Sequence, residues 1–176
     1  MKVLGPGTLA CVLVGLCAAA GGAADDVGNY LTKDGKLKKK LALVDEQGGF
    51  QLAGWKWTIE PSGEWTVAPL DDGGKEKPRK GKLTDKQLAA LAQHLAAQDF
   101  AGLPEQFGRE QRGSGFHNFV LSFGKKSTRL VLEPGESLTE ACPPRNDPKA
   151  ATWSRFTALV LVIQKWTGPE KGEGWK

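Results

Sequence analysis

The chain has 176 residues, a formal charge of +4 at neutral pH, and 25% charged residues. This length suits one compact domain with a full hydrophobic core, so no disulfide scaffold is needed to hold the fold together. The positive excess is mild and the basic residues are not interleaved with exposed aromatic residues, which argues against a nucleic-acid-binding protein.

Residues 1–24 have the pattern of a secretory signal peptide. Lys2 supplies the positive start, an apolar run covers residues 9–20, and small residues precede an acidic pair. Such a run is too short to span a bilayer, and the small residues suit signal peptidase. We predict cleavage after Ala24, or alternatively after Ala20. The mature chain is then exported to the periplasm, the envelope or the medium, with no stable membrane span after cleavage.

Only one cysteine, Cys142, remains once the predicted signal peptide is removed. An intramolecular disulfide is therefore not expected, and stability must come from packing. Cys142 stands beside two prolines, which favours a half-buried loop thiol, although an unpaired exported cysteine can also link two chains.

A single α+β domain is predicted over residues 37–168. The polar, glycine-containing segment at residues 25–36 is expected to be a flexible arm, and residues 169–176 a flexible tail. Within the domain, the tract at residues 71–82 is rich in Gly, Lys and Asp and predicts a mobile surface loop.

Short alternating segments predict strands joined by hairpins. A strand at residues 40–44 and a glycine turn at residues 47–50 precede residues 55–60, where apolar and polar side chains alternate. A Pro-Ser-Gly turn returns this strand into residues 64–67, and a second hairpin is predicted over residues 119–132. These strands are expected to pair antiparallel.

Two helices with one apolar face each complete the predicted fold. Thr84 and Gln87 form a capping box, and leucines then recur at helical spacing to about Gln98. The second helix is predicted to start with Asp147 as its N-cap and Pro148 at its first position. Because hairpins rather than crossovers join the strands, we predict an α+β fold with both helices packed on one face of an antiparallel sheet.

The sequence contains no motif that predicts an enzyme, a metal site or a cofactor. His94 and His117 lack a His, Cys or carboxylate neighbour at metal-ligand spacing, so both are interpreted as structural or solvent-facing. Six tryptophans suit carbohydrate stacking, but their strand alternation and helical spacing favour core packing. A hydrolase that uses His117 or Glu64 is the least favoured alternative.

The order of short motifs resembles the emfourin-type domain. The resemblance rests on a Gly-Gly-Phe turn at residues 48–50, a Leu-Thr helix start at residues 83–84 and a Phe-x-x-Leu-Pro connector at residues 100–104, and it spans roughly residues 41–132. It implies a small α+β protein that inhibits thermolysin-like zinc metalloproteases such as protealysin and has no cofactor of its own. The signal peptide, the basic loop and the extended final helix are additions to that pattern.

Two functional hypotheses follow. In the first, a preorganised turn fills the cleft of a metalloprotease at low entropic cost, with Gly48, Gly49 and Phe50 as the predicted contact residues. The same triplet is equally compatible with an ordinary hairpin turn in which Phe50 belongs to the core. In the second hypothesis, the protein is a non-catalytic secreted or envelope-associated binding module of unknown ligand.

Overall fold

The computed structural model describes residues 25–49, 51–71, 76–110 and 115–168. The predicted signal peptide, the predicted tail and Phe50 lie outside these ranges. The strands are β1 (Leu41–Gly48), β2 (Ala53–Ile59), β3 (Glu64–Pro69), β4 (Arg79–Lys82), β5 (Gln106–Gly108), β6 (Phe116–Phe123) and β7 (Lys126–Leu132). The helices are α1 (Asp85–Ala97) and α2 (Ala150–Thr167), with short 3-10 turns at Val27–Asn29 and Phe100–Gly102.

The strands form one mostly antiparallel sheet in the order β4-β3-β2-β1-β6-β7-β5. Both predicted hairpins are present, and the two helices cover one sheet face, so the predicted α+β fold is confirmed. Strand alternation selects the side chains that meet the helices. The main members of this shared core are Leu41, Leu43, Trp57, Ile59, Val67, Leu88, Leu91, Leu95, Phe119, Leu121, Leu130, Trp153, Phe156, Leu159, Val160 and Ile163.

Two short edge strands depart from the sequence-based prediction. β4 lies at the end of the tract predicted as a mobile loop, where Lys82 pairs opposite Glu64 of β3. β5 forms in an apolar connector and pairs parallel with β7, placing Phe107 opposite Leu130. Segments of three or four residues are too short to show a strand periodicity, so only the neighbouring strand reveals them.

The helix starts differ in how well the sequence predicts them. The capping box of α1 is confirmed: the Thr84 hydroxyl accepts from the Gln87 amide at 3.3 Å, and the Gln87 side chain accepts from the Thr84 amide at 2.9 Å. α2 starts at Ala150, two residues later than predicted. The Asp147 carboxylate accepts the Lys149 amide at 2.7 Å in a separate turn before the helix.

Residues 25–31 pack against the domain, so this part of the segment does not form the predicted loose arm, whereas residues 32–34 and 36 are exposed. The Asp25 amide donates to the Ala96 carbonyl at 3.2 Å, near the end of α1. Tyr30 is buried, with its ring edge-on to Phe123 at a centroid distance of 5.4 Å. Because the segment is mostly polar, its composition did not predict that Tyr30 is buried. Burial of this aromatic side chain stabilises the packing of the segment on the domain.

Tyr30 makes this packing measurable, because it is the only tyrosine in the chain. The pKa of its phenol lies well above the usual range, mainly because the ring is buried. A 2.6 Å hydrogen bond to the Asp25 carboxylate raises this pKa further. We expect no phenolate absorbance from the folded protein at about pH 10, where an exposed tyrosine is half ionised. The unfolded chain loses this proton first, so the free energy of unfolding should fall as the pH rises above about 10.

Ultraviolet absorbance measured against pH, with and without denaturant, tests this expectation. The denatured chain should titrate at the ordinary phenol midpoint. A folded protein that titrates at the same midpoint would contradict the packed position of Tyr30.

Candidate functional site

A cleft of about 440 Å³ opens where the ends of β1 and β2 meet the last turns of α2. We call it the Trp55 cleft. Its lining residues are Asp45, Gln47, Ala53, Gly54, Trp55, Trp57 and Gln164. The volume lies within the range of about 300–1,000 Å³ that is typical of small-molecule sites.

Strand alternation explains why polar and aromatic groups meet in this cleft. Leu43 and Asp45 lie on the same face of β1 and pair with Trp57 and Trp55 of β2. At Leu43 this face is buried under the helices, whereas the Asp45 side chain keeps an exposed fraction of 18%. The cleft is therefore the open end of the hydrophobic core, and the buried ring of Trp57 forms its apolar wall.

The Asp45 carboxylate forms a hydrogen bond with a buried histidine. His117 Nε2 lies 3.0 Å from Asp45 Oδ1, and the imidazole packs at 5.1 Å from the Phe119 ring. His117 Nδ1 is buried and has no hydrogen-bond partner among the described residues. A carboxylate fixed in this way presents its remaining oxygen, Oδ2, with little rotational freedom, which favours ligand binding.

The Trp55 ring is held on its outer side by a cation. The Arg79 guanidinium carbon of β4 lies 5.7 Å from the ring centroid, within the range of a cation–π interaction. Trp55 is partly buried and also lines the cleft. The indole is therefore held in one position, with one part packed in the core and another part exposed in the cleft.

Two residues of the predicted contact triplet, Gly48 and Gly49, lie at the same end of the sheet. Gly48 ends β1 opposite Phe116, and a Cβ atom at Gly48 would lie 2.2 Å from the Phe116 ring, so a larger residue here would displace that ring. Gly49 follows in a bend, and Phe50 is outside the described residues. For Phe50, a core position and a contact with a partner both stay predictions. Leu52, just beyond it, is 46% exposed.

The residues named for a hydrolase do not form a common site. His117 pairs in register with Gln47 near the cleft, whereas Glu64 lies at the other end of the sheet, opposite Lys82. His94 lies on α1 beside Trp166, with ring centroids 6.0 Å apart. Within the described ranges no group of three or more His, Cys, Asp or Glu residues could hold a metal ion.

Cys142 is exposed in the structure, which corrects the prediction of a half-buried thiol. Its sulfur lies 3.7 Å from the carbonyl oxygen of Pro143 in the irregular segment before α2. The segment anchors itself through the buried Leu138 and Ala141 and leaves the neighbouring Cys142 at the surface, which the sequence pattern did not reveal.

A second cavity of about 370 Å³ lies beside β5 and the start of α2. Its rim carries charges of both signs, including Arg109, whose guanidinium pairs with Glu136 at 3.1 Å. The Glu133 amide, and then Arg109, hold the pKa of Glu136 below its usual range. Because these groups satisfy one another, we assign no ligand to this cavity.

No protein-family model matches the sequence, and no curated protein matches it either. The resemblance to the emfourin-type domain therefore stays a prediction from short motifs. Neither helix in the described residues combines the length and apolarity needed to cross a membrane.

Sequence reasoning missed the pairing of Asp45 with His117 and the contribution of Gln164. The first two residues are 72 positions apart, and only the register of β1 with β6 brings them together. One signal was available: Asp45 continues the buried alternation of Leu41 and Leu43. A carboxylate on the apolar side of a strand needs a partner or an opening to water, and this one has both.

Proposed function

We propose that the protein is an exported, non-catalytic binding domain whose ligand enters the Trp55 cleft. The observation that carries this proposal is the combination of a partly exposed indole with an Asp carboxylate and two Gln amides in one cleft. Sites of this kind bind a small ligand through apolar contact and use a few polar groups to orient it. The rigid supports of Asp45 and Trp55 reduce the entropic cost of binding.

The groups in the cleft suit binding better than bond breaking. His117 is buried behind Asp45, and its Nε2 is already engaged with that carboxylate. The described lining contributes one carboxylate, two amides and two indoles. Amides and indoles are hydrogen-bonding and stacking groups rather than nucleophiles or general bases. Export, argued from the signal peptide, directs the search to ligands outside the cytoplasm.

Heteronuclear NMR of the indole N–H groups tests the binding function directly. The protein is purified after export with its own leader, and is mixed in turn with soluble oligosaccharides, tetramethylammonium and a mixed peptide library. We expect at least one of these probes to shift the Trp55 resonance and that of Trp57 in the same cleft, and Trp55→Leu to remove the shift at Trp57.

Trp65→Leu is the matched control, because Trp65 is also partly buried on this sheet face but packs over Gly81, away from the cleft. Circular dichroism of each variant shows whether the fold is kept. If no probe moves the Trp55 resonance, the proposed binding function is wrong.

Inhibition of a thermolysin-like metalloprotease is the second candidate, and the exposed Leu52 favours it. This side chain follows the Gly48–Gly49 bend and precedes Ala53 on the rim of the cleft, where a protease could receive it. We expect stoichiometric loss of peptidase activity when the protein is titrated into thermolysin, with the protein itself remaining uncut.

Leu52→Asp should abolish this inhibition, because a buried charge in the enzyme's apolar subsite is unfavourable. Leu161→Asp is the matched control, since Leu161 is 47% exposed but lies on α2. Undiminished peptidase activity across a panel of such proteases would exclude the inhibitor function and leave the binding function intact.

A further inference from the structure

We infer that the Trp55 cleft holds a neutral pyranose unit of a glycan chain, an inference that rests on the proposed binding function. The ligand class follows from three properties of the described cleft: a fixed indole, a set of planar polar groups and a balance of charge.

The fixed indole suits the C–H face of a sugar ring. Trp55 is tied to the sheet by its partial burial and by the Arg79 guanidinium on its β4 side. An indole offers a flat apolar surface together with a polar N–H group, so it can stack on the apolar face of an otherwise hydrophilic ligand. The buried Trp57 ring extends the apolar wall towards the core.

The planar polar groups suit neighbouring hydroxyl groups, each of which can donate and accept. The Asp45 Oδ1 atom is taken by His117, while Oδ2 has no hydrogen-bond partner in the described part of the chain and can accept from a hydroxyl. Gln47 and Gln164 line the cleft from β1 and α2, and each amide both donates and accepts. A pyranose carries adjacent hydroxyls that match such a mixed set.

The charge balance favours a neutral ligand over an ion. Asp45 is the carboxylate of the described lining, and the Arg79 guanidinium already lies against the Trp55 ring. An anionic ligand would face the Asp45 carboxylate. A cationic side chain from a protein partner would meet an indole that already has a guanidinium beside it, which weakens the cation–π attraction.

The position of the cleft favours a chain rather than an isolated sugar. Gln47 and Ala53 are both exposed and form the outer rim at the end of the β1–β2 hairpin. A glycan seated by one unit can therefore continue past this exposed rim into solvent without displacing the core. An exported protein meets such chains in the envelope and in the medium.

Calorimetric titration with cellohexaose, maltohexaose and a hexamer of N-acetylglucosamine tests the inference, with glucose as the single-sugar comparison. We expect at least one hexasaccharide to bind more tightly than glucose. Trp55→Leu should weaken that binding by about tenfold or more, and Gln164→Ala by about fivefold. Trp65→Leu should leave it unchanged within about twofold.

The possible failures are distinguishable. If the mixed peptides or tetramethylammonium shift the Trp55 resonance and no hexasaccharide does, the binding function stands and the sugar inference is wrong. If no probe shifts it, both are wrong. If a hexasaccharide binds equally well to the wild-type protein and to both cleft variants, the sugar lies elsewhere and the assignment to this cleft is overturned.

Discussion

Replacing Gly54 with alanine should destabilise the protein by at least about 4 kcal/mol, a large part of the stability of an ordinary domain. Gly54 adopts a φ of +131°, a backbone conformation that residues with a Cβ atom rarely adopt. A Cβ atom there would lie 1.9 Å from the backbone oxygen of Asp45 on the neighbouring strand. Neither backbone can move without breaking the β1–β2 ladder, so the clash adds to the conformational strain.

Gly35 is the matched control for this substitution. It also has a positive φ, +74°, but a Cβ atom at this position would have nothing within 4 Å. Gly35→Ala should therefore cost only the conformational term, about 1–2 kcal/mol. Urea unfolding followed by circular dichroism measures both variants. Equal losses in the two would show that the close approach to Asp45 is unimportant.

Replacing Arg155 with alanine should cost about 3 kcal/mol, the second large effect that we expect. Its guanidinium donates to the Gln98 carbonyl at 2.7 Å, to the Asp99 carbonyl at 2.6 Å and to the Asp99 carboxylate at 2.7 Å. These groups lie where α1 ends, and Asp99 has a φ of 44°, which is uncommon for a residue other than glycine. Arg155 thus joins α2 to the end of α1 and stabilises the turn that follows it.

Two comparisons separate this network from an ordinary surface ion pair. Arg155→Lys keeps the charge but loses the planar fork, so it should recover less than half of the loss. Arg109→Ala removes the pair with Glu136, in which the arginine side chain is 45% exposed, and should cost less than about 1 kcal/mol. Thermal unfolding of the three variants decides the matter. A cost for Arg155→Ala as small as that of Arg109→Ala would show that the fork is not structural.

Much of the fold is readable from local pattern. The capping box at Thr84, the alternation around Trp57 and the hairpin turn before Glu64 each depend on residues a few positions apart. Local propensity and local hydrogen bonds therefore predict α1, β2 and β3 in advance. The same local view fails for β4, β5 and the segment around Tyr30, since these are held by distant partners.

The candidate site was only partly predictable. Gly48 and Gly49 of the predicted contact turn lie near the cleft, and the absence of a side chain at Gly48 leaves room for the Phe116 ring. Trp55 was assigned to core packing, and the structure places it partly in the core and partly at the cleft. Gln164 carries no local signal, because it becomes a lining residue only when α2 crosses the end of the sheet.

The sequence by itself determined the export prediction, the α+β class, the two main hairpins and the start of α1, since each follows from the order of neighbouring residues. The tertiary structure decided the features of the candidate site. These are the pairing of Asp45 with His117, the contact of Arg79 with the Trp55 ring, and the cleft that Asp45 and Trp55 line. The physical reason is that strand register and helix docking are set by the summed burial of many distant apolar groups. Local periodicity specifies which face of a strand is buried, but not where that burial ends.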